Sequence, residues 1–400
     1  MKVFIVTKQP FPNGMAATNR IICLAKALNA TGVDCRVIIF SRTYTDHSIP
    51  GIGVFDGIPY EYIGGSSQRP KNQWLARLQS LWLRVALLGY LKKNIQSGDV
   101  LYEFIGGENR LKDMMIRMVH KRGGLCVSEL NEYPFGTGKE SKKAVKQREY
   151  AFRCLFPRDD GVLAISDALT DVAKQYCSPQ CVIQKIPILV DFERFNLQNE
   201  SALAPMPYIF HAGTLSEQKD GILGMIEAFG MARQKLQFPI KYILTGHIDA
   251  SPQAQEIREL IRRFNLGDSI EFVGYLYQEQ IRAYLSKASL VISNRPKSQQ
   301  DFYGFSTKVG EYLAAGKPLI TTNWGEAAKW LKNGENAYII EPEDTNALAD
   351  RIVHVFENQG EARAIGEAGR ELCHTCFDYR VWSNTLGEYL TRLMLKTQTK

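Results

Sequence analysis

Hydrophobic and polar positions repeat in one order along most of the chain: a short β-branched or aliphatic run, then a longer segment with helical spacing. In the first half, the runs at residues 3–6, 36–40, 100–105, 125–130 and 161–165 predict strands. In the second half, residues 208–212, 241–245, 270–273, 290–293, 318–321 and 338–340 do so. Helical periodicity falls between them, at 18–30, 109–120, 167–176, 221–235, 253–265, 278–287 and 307–315. This alternation calls for parallel sheets covered by helices on both faces. Two such series predict an α/β protein of two doubly wound, Rossmann-like domains facing each other across a cleft. The polar, proline-bearing stretch 196–207 marks a boundary, giving domains 1–195 and 196–379. A last helix over 380–400 carries Val381, Leu386, Tyr389, Leu390 and Leu393 and is expected to pack back on the first domain.

At 400 residues and 45% hydrophobic, the chain can fill two ordinary cores. The start, MKVFIVTKQP, reads as a strand rather than a signal peptide. No run reaches the roughly 18 apolar residues of a membrane span. A cytoplasmic protein is expected, and its eight cysteines are expected as thiols. No HxxxH or DxD pattern occurs, so no metal is expected.

The net charge of +7 is unevenly placed: residues 1–195 hold 27 basic and 18 acidic side chains, and the rest 22 and 24. Such asymmetry points the first half toward an anionic partner.

Ligands of doubly wound sheets bind beyond the carboxyl ends of strands, so the loops there carry the candidate chemistry. TKQPFPNGMAATN, residues 7–19, leads into a helix that Thr18 or Asn19 is expected to cap, and Gly14 permits close approach of a ligand. HAGTLSEQKDG, residues 211–221, offers Lys219 to a phosphate at the opening of a helix. QDFYGFSTKVGEYLAAGKPLI, residues 300–320, has Gly304 to free the backbone and Ser306 or Thr307 to cap a helix. Glu311 follows one turn after Thr307, on the same face, where a carboxylate can accept two hydrogen bonds from a ribose diol.

The segments FSTKVGEYLAAGKPLI, AGTLSEQKDG and IPILVDFERF resemble family 4 of the retaining glycosyltransferases, which has the two-Rossmann architecture called GT-B. FPNGMAATNRIICLAKAL and VSELNEYPF are similar to a bacterial branch that builds surface polysaccharides. The resemblance covers almost the whole chain. It implies transfer of a sugar, with retained configuration, from a nucleotide-diphosphate sugar such as a UDP-sugar to a hydroxyl of a glycan or lipid-linked acceptor. The donor is a substrate, and no cofactor is implied. Glu311 becomes the ribose ligand and Lys219 the diphosphate ligand. Ser306 and Thr307 offer main-chain donors, with Gly304 and Phe305 beside them. Gly14 sits beneath the donor phosphates in the closed cleft, and residues 272–276, including Gly274, face the nucleobase.

Two positions depart from the family pattern. Thr214 stands where the family commonly has arginine, with Arg295 or Lys308 as replacements for its charge. Tyr303 stands where it commonly has a second glutamate, with Asp301 or Gln300 as substitutes. The leaving diphosphate is expected to be stabilised by Lys219 and helix N-termini. On the acceptor side, Glu129, Asn131 and Glu132 end a strand, and Asn131 or Glu132 is expected to orient the acceptor hydroxyl.

Residues 62–98 hold no acid but six bases: Arg69, Lys71, Arg77, Arg84, Lys92 and Lys93. Within them Trp74, Leu75, Leu78, Leu81, Trp82, Val85 and Leu88 make an apolar helical stripe. A basic helix with tryptophans fits a membrane interface, and equally a helix whose stripe meets its own core. The first reading makes Arg77, Arg84, Lys92 and Lys93 a membrane side, with the protein peripheral on the inner face of the cell membrane. Residues 139–158 add seven bases against Glu140 and Glu149. An epimerase, a phosphorylase, a non-catalytic relative or a nucleic-acid binder are the alternatives. None explains the Glu311 segment better, and no nucleic-acid-binding module occurs.

Overall fold

In the computed structural model, which describes residues 1–45, 48–104, 106–134, 141–195 and 206–397, the alternation resolves into two sheets in two units. The first unit is Met1–Leu189 with Tyr379–Lys400, and the second is Val190–Asp378. Of the predicted segments, Ile105, Phe135, Lys139, Glu140, most of the boundary (196–205) and 398–400 lie outside the described residues.

The first sheet contains β1 (Lys2–Thr7), β2 (Asp34–Ile39), β3 (Ile52–Phe55), β4 (Ile58–Tyr62), β5 (Val100–Phe104), β6 (Leu125–Leu130), β7 (Gly161–Ala164) and β8 (Val182–Lys185). Their order is β3-β4-β2-β1-β5-β6-β7-β8, and all pairings are parallel except β3 with β4. The antiparallel hairpin turns on Asp56 and Gly57, both at positive φ (49° and 77°). That is the geometry an Asp-Gly pair favours. Neither β3, β4 nor β8 is legible as a long apolar run; the Asp-Gly pair is the signal for the first two.

The second sheet is wholly parallel, ordered β11-β10-β9-β12-β13-β14. It contains β9 (Tyr208–His211), β10 (Lys241–Leu244), β11 (Ile270–Phe272), β12 (Leu290–Ser293), β13 (Leu319–Thr322) and β14 (Tyr338–Ile340). Central strands such as Val3–Val6 and β12 are buried on both faces, which is why they read as unbroken apolar runs.

Helices cover both sheets. In the first unit they are α1 (Ala16–Asn29), α2 (Gln73–Asn94), α3 (Asn109–Lys121), α4 (Lys142–Tyr150) and α5 (Asp167–Tyr176). In the second, α6 (Glu217–Asp220), α7 (Ile222–Lys235), α8 (Ala254–Arg263), α9 (Gln278–Lys287), α10 (Gln299–Tyr303) and α11 (Thr307–Ala314) come first. They are followed by α12 (Ala327–Trp330), α13 (Thr345–Glu357) and α14 (Gln359–Cys376). The chain then returns to the first unit as α15 (Ser383–Thr397), and Leu386, Tyr389, Leu390 and Leu393 join the core that holds Val3, Ile5, Leu24 and Leu28.

In each sheet the strand order reverses beside the first strand: between β1 and β5 in one, between β9 and β12 in the other. Those switch points are where doubly wound folds open a crevice at the carboxyl edge.

Candidate functional site

At the second sheet's switch point, β9 ends on His211 and β12 on Ser293. α11 is tied to this place by two residues four apart on one face. Tyr312 Oη accepts a hydrogen bond from Ala212 N (2.7 Å), and Lys308 Nζ binds the Asp220 carboxylate. Asp220 is buried and gathers further donors: Thr214 N (3.0 Å), Thr214 Oγ1 (2.9 Å) and Arg295 (3.4 Å). Arg295 also binds Asp301, with Nε at 2.6 Å. His211, fully buried, has Nδ1 3.0 Å from Ile292 O, and its Nε2 stands 3.7 Å from Asp220 Oδ2.

Burial opposes the Asp220 charge, but Lys308 and His211 outweigh it and hold its carboxyl well below the usual range. The network thus joins cations from β12's loop and α11 to one ionised carboxylate. Gly213 lies at its centre: a Cβ there would come within 2.6 Å of Lys308 Nζ and 2.8 Å of Asp220 Oδ2. Only a residue without a side chain leaves room for this convergence.

Several of the expected donor residues lie on the elements that meet here. Thr214 does not take the place of the arginine; it is spent on Asp220. Lys308, of the two replacements, is the half-buried cation on α11, and Arg295 is shared between two acids. Asp301, an expected substitute near the donor sugar, is likewise paired with Arg295 and with Ser298 Oγ (2.6 Å). Lys219 is exposed on α6, next to Asp220. Ser306 occupies the N-cap position of α11 but makes no side-chain capping bond, contrary to expectation. Its hydroxyl therefore does not occupy the first-turn amides, which point outward from the helix N-terminus. Thr307 is the first residue of α11 and Glu311 lies one turn later, half-buried.

Tyr303 ends α10 with its ring edge-on to Phe302. Gly304 has an ordinary φ of −84°, so no left-handed conformation requires it. Phe305 is buried edge-on against Phe377, a packing role for its ring. Gly274 is at φ 72° and accepts a hydrogen bond from Gly246 N (2.7 Å), which fixes the turn carrying exposed Tyr275 and Tyr277. A cavity of ≈ 470 Å³ beside the loops that follow β9 and β12 is lined by Glu217, Gly221, Asn294, Pro296, Ser298 and Thr345. Glu227, Glu343 and Asp344 also border it, so its wall repels rather than attracts a diphosphate.

In the first unit, Thr7 Oγ1 donates to Phe104 O (3.2 Å) and Lys8 Nζ to Gly106 O (3.0 Å), closing the switch point between β1 and β5. The loop above it is fixed by Tyr62, whose hydroxyl bonds both N and O of Phe11. The helix cap expected at Thr18 or Asn19 is absent: α1 starts at Ala16 with Met15 at its N-cap, and Thr18 Oγ1 donates to Pro10 O (2.6 Å). A side chain at Gly14 would collide with that hydroxyl, so its smallness serves this turn.

Glu129 is corrected from an acceptor-side residue to a buried one. Its carboxylate binds Arg20 and the Tyr102 hydroxyl. Arg20 also donates to Pro187 O (2.6 Å) and Ile186 O (3.0 Å). Sequence reasoning missed this centre, although Arg20 lies four and eight residues before Leu24 and Leu28 and so shares their buried face. Asn131 and Glu132 follow β6 at the carboxyl edge, Glu132 exposed.

Of the four basic residues expected on a membrane side, Arg84 is engaged by Glu108 (2.8 and 3.1 Å). Arg77, Lys92 and Lys93 are exposed. Among the described residues, His120, Cys126 and Asp160 alone group three metal-ligating side chains; His120 Nε2 lies 2.7 Å from Asp160, and burial pushes the Cys126 thiol well up, away from a thiolate ligand.

Residues 194–372 match the family model for glycosyl transferases group 1. The amylovoran biosynthesis glycosyltransferase AmsK of Erwinia amylovora is 24% identical over 217 residues, covering 53% of this chain and 52% of the relative. The matched region spans 38 to 63% of the length of the first curated relatives. Among solved structures, sucrose-phosphate synthase from Thermosynechococcus elongatus superposes with TM-score 0.73 at 16% identity, over 99% of this chain and 100% of that one. HepE of Anabaena, solved with UDP-glucose, gives TM-score 0.70 at 18% identity, over 98% and 100%. These likenesses show the fold: two Rossmann-like units of the GT-B class.

Proposed function

We propose that the chain is a retaining, family 4-type glycosyltransferase that moves a sugar from a UDP-sugar to a glycan or lipid-linked hydroxyl in surface-polysaccharide synthesis, at the inner face of the membrane. The observation that carries the donor half is the second unit's switch point. There Lys308 and the N-terminus of α11 meet the carboxyl end of β9, with Glu311 one turn along the same helix. The match of residues 194–372 to glycosyl transferases group 1 and the UDP-glucose bound by HepE support it.

In this reading Glu311 accepts the ribose hydroxyls. Lys219 and Lys308 face the diphosphate with the α11 amides, and Gly274 sets the main chain for the base. Charge develops on the diphosphate as the glycosidic bond breaks, so preorganised cations and amides favour the transition state. In the first unit, Asn131 or Glu132 orients the acceptor hydroxyl, while Glu129 and Arg20 hold the end of β6 in place.

The test is release of UDP from a panel of UDP-sugars by the purified chain, with Glu311→Ala and Lys219→Ala as variants. Each is expected to lose more than tenfold in turnover while staying folded, because a charge-assisted contact is worth ~1.5–3 kcal/mol and tenfold needs about 1.4. Wild-type turnover in both variants would remove this edge of the second unit from the donor site.

A further inference from the structure

Helix α2 has two apolar faces, and only one is used. Leu83, Leu87 and Leu91, each four apart, are buried in the first unit. The stripe picked out by sequence is the other face: Trp74, Leu75, Leu78, Leu81, Trp82 and Val85 are 53 to 72% exposed. Asn72 fixes the start of this helix, its side chain accepting from Trp74 N (2.8 Å). The face is therefore ordered rather than frayed.

The apolar surface continues beyond the helix. A Cβ at Gly64 would come within 2.7 Å of the Trp82 ring, so that ring lies on the turn after β4. The same turn abuts Gly51, where the edge strand β3 begins, and β3 turns Ile52 and Val54 outward at 66% and 70% exposure. A contiguous exposed apolar patch rimmed by polar side chains marks an interaction surface.

The charge around the patch selects its occupant. Lys92 follows Trp74 by eighteen residues, five full turns, and so lies on the same line; Lys93 is exposed beside it. Arg77 holds its guanidinium 5.5 Å from the Trp74 ring centre, and Arg42 reaches Gly64 O (3.4 Å). At the other side, Arg84 binds Glu108 while the next residue, Asn109, binds Gln147 of α4 (2.7 and 3.0 Å). That brings the exposed Lys142, Lys143 and Lys146 of α4 to the same end of the unit. Interfaces between proteins are depleted in lysine, whereas tryptophan, leucine and a lysine fringe suit the boundary of an anionic bilayer.

We infer that the unpartnered face of α2, extended by the outer side of β3, lies in the interface of an anionic membrane. The apolar side chains enter between headgroups while Arg77, Lys92 and Lys93 pair with phosphates. No helix among the described residues is long and apolar enough to cross a membrane. α2 begins beyond the carboxyl end of β4, the edge of the sheet that also carries Asn131 and Glu132. On the reading proposed above, docking brings that edge close to lipid-linked acceptors. The docking surface rests on its own observations and not on the donor site.

Co-sedimentation with vesicles of phosphatidylcholine containing about 40% phosphatidylglycerol tests it. Binding is expected at about 0.05 M salt, to weaken at least tenfold at about 0.5 M, and to be weak on pure phosphatidylcholine. Trp74→Ser with Leu78→Ser and Leu81→Ser should lose at least tenfold in binding, and Arg77→Gln with Lys92→Gln and Lys93→Gln likewise. Both sets are on exposed positions, so circular-dichroism melts should match wild type and UDP binding should be unchanged. The inference is overturned if wild type does not pellet with anionic vesicles, or if the serine variant binds as wild type does. It also fails if wild type sediments as a dimer that the serine variant dissolves, which would make a second copy the occupant.

Discussion

Replacing Asp220 by Asn keeps the shape of the second unit's switch point and removes its charge. Asp220 is 2% exposed, and its carboxylate holds Lys308, Arg295 and both donors of Thr214. Breaking a buried ion pair from one side costs ~3–5 kcal/mol, because the remaining charge stays desolvated. Asn still offers one oxygen to Thr214, which places Asp220→Asn near the lower figure, about 3 kcal/mol. For a unit of this size each kcal/mol moves the midpoint by about 2–4 °C, so a fall of roughly 6–12 °C is expected. The assay is thermal and urea unfolding of Asp220→Asn, Lys308→Met and the double variant. The double variant should recover about 2 kcal/mol relative to the sum of the singles, since it leaves no orphaned ammonium. A single-variant loss under about 1 kcal/mol would refute the reasoning. So would costs that add within about 0.5 kcal/mol.

The same carboxylate sets an acid limb. Its folded-state ionisation lies below the ordinary value of 3.8, so its stabilisation is complete above that pH and is lost as pH falls further. Unfolding followed from pH 5 downward, roughly across this range, should steepen in wild type and flatten in Asp220→Asn. Transfer activity is expected to survive EDTA, because Lys219, Lys308 and the α11 N-terminus supply the charge the diphosphate needs. Loss restored by magnesium or manganese would show that an ion belongs to the donor site.

Most of the fold could be read from the chain because buried parallel strands leave continuous apolar runs. The observed β6, β12, β14, α5 and α9 have the predicted bounds. The hairpin β3–β4 escaped because half-exposed strands at an edge carry no such run. At the site, sequence pointed to the loops but not to who pairs with whom. Asp220 stands between a lysine and a glycine at the end of a four-residue helix, and nothing local marks it as buried. Its significance comes from Lys308 and Arg295, 88 and 75 residues away. Glu129 was misread for the same reason: its partner Arg20 is 109 residues distant. The helical stripe on α2 was legible in register, but a second, shorter leucine row turned out to face the core.

The return of the chain to its first unit constrains the order in which this protein can fold. Tyr389 and its leucine neighbours on α15 belong to the core built around β1 and α1. A ribosome that has finished residue 189 has therefore released a unit whose core still lacks a wall. The second unit, continuous from 190 to 378, emerges whole and can fold while the first waits. A chain cut before α15 would keep every residue of the proposed sugar-nucleotide site, yet leave apolar surface open on the other unit. Aggregation, rather than a missing ligand contact, is the expected failure of such a truncation.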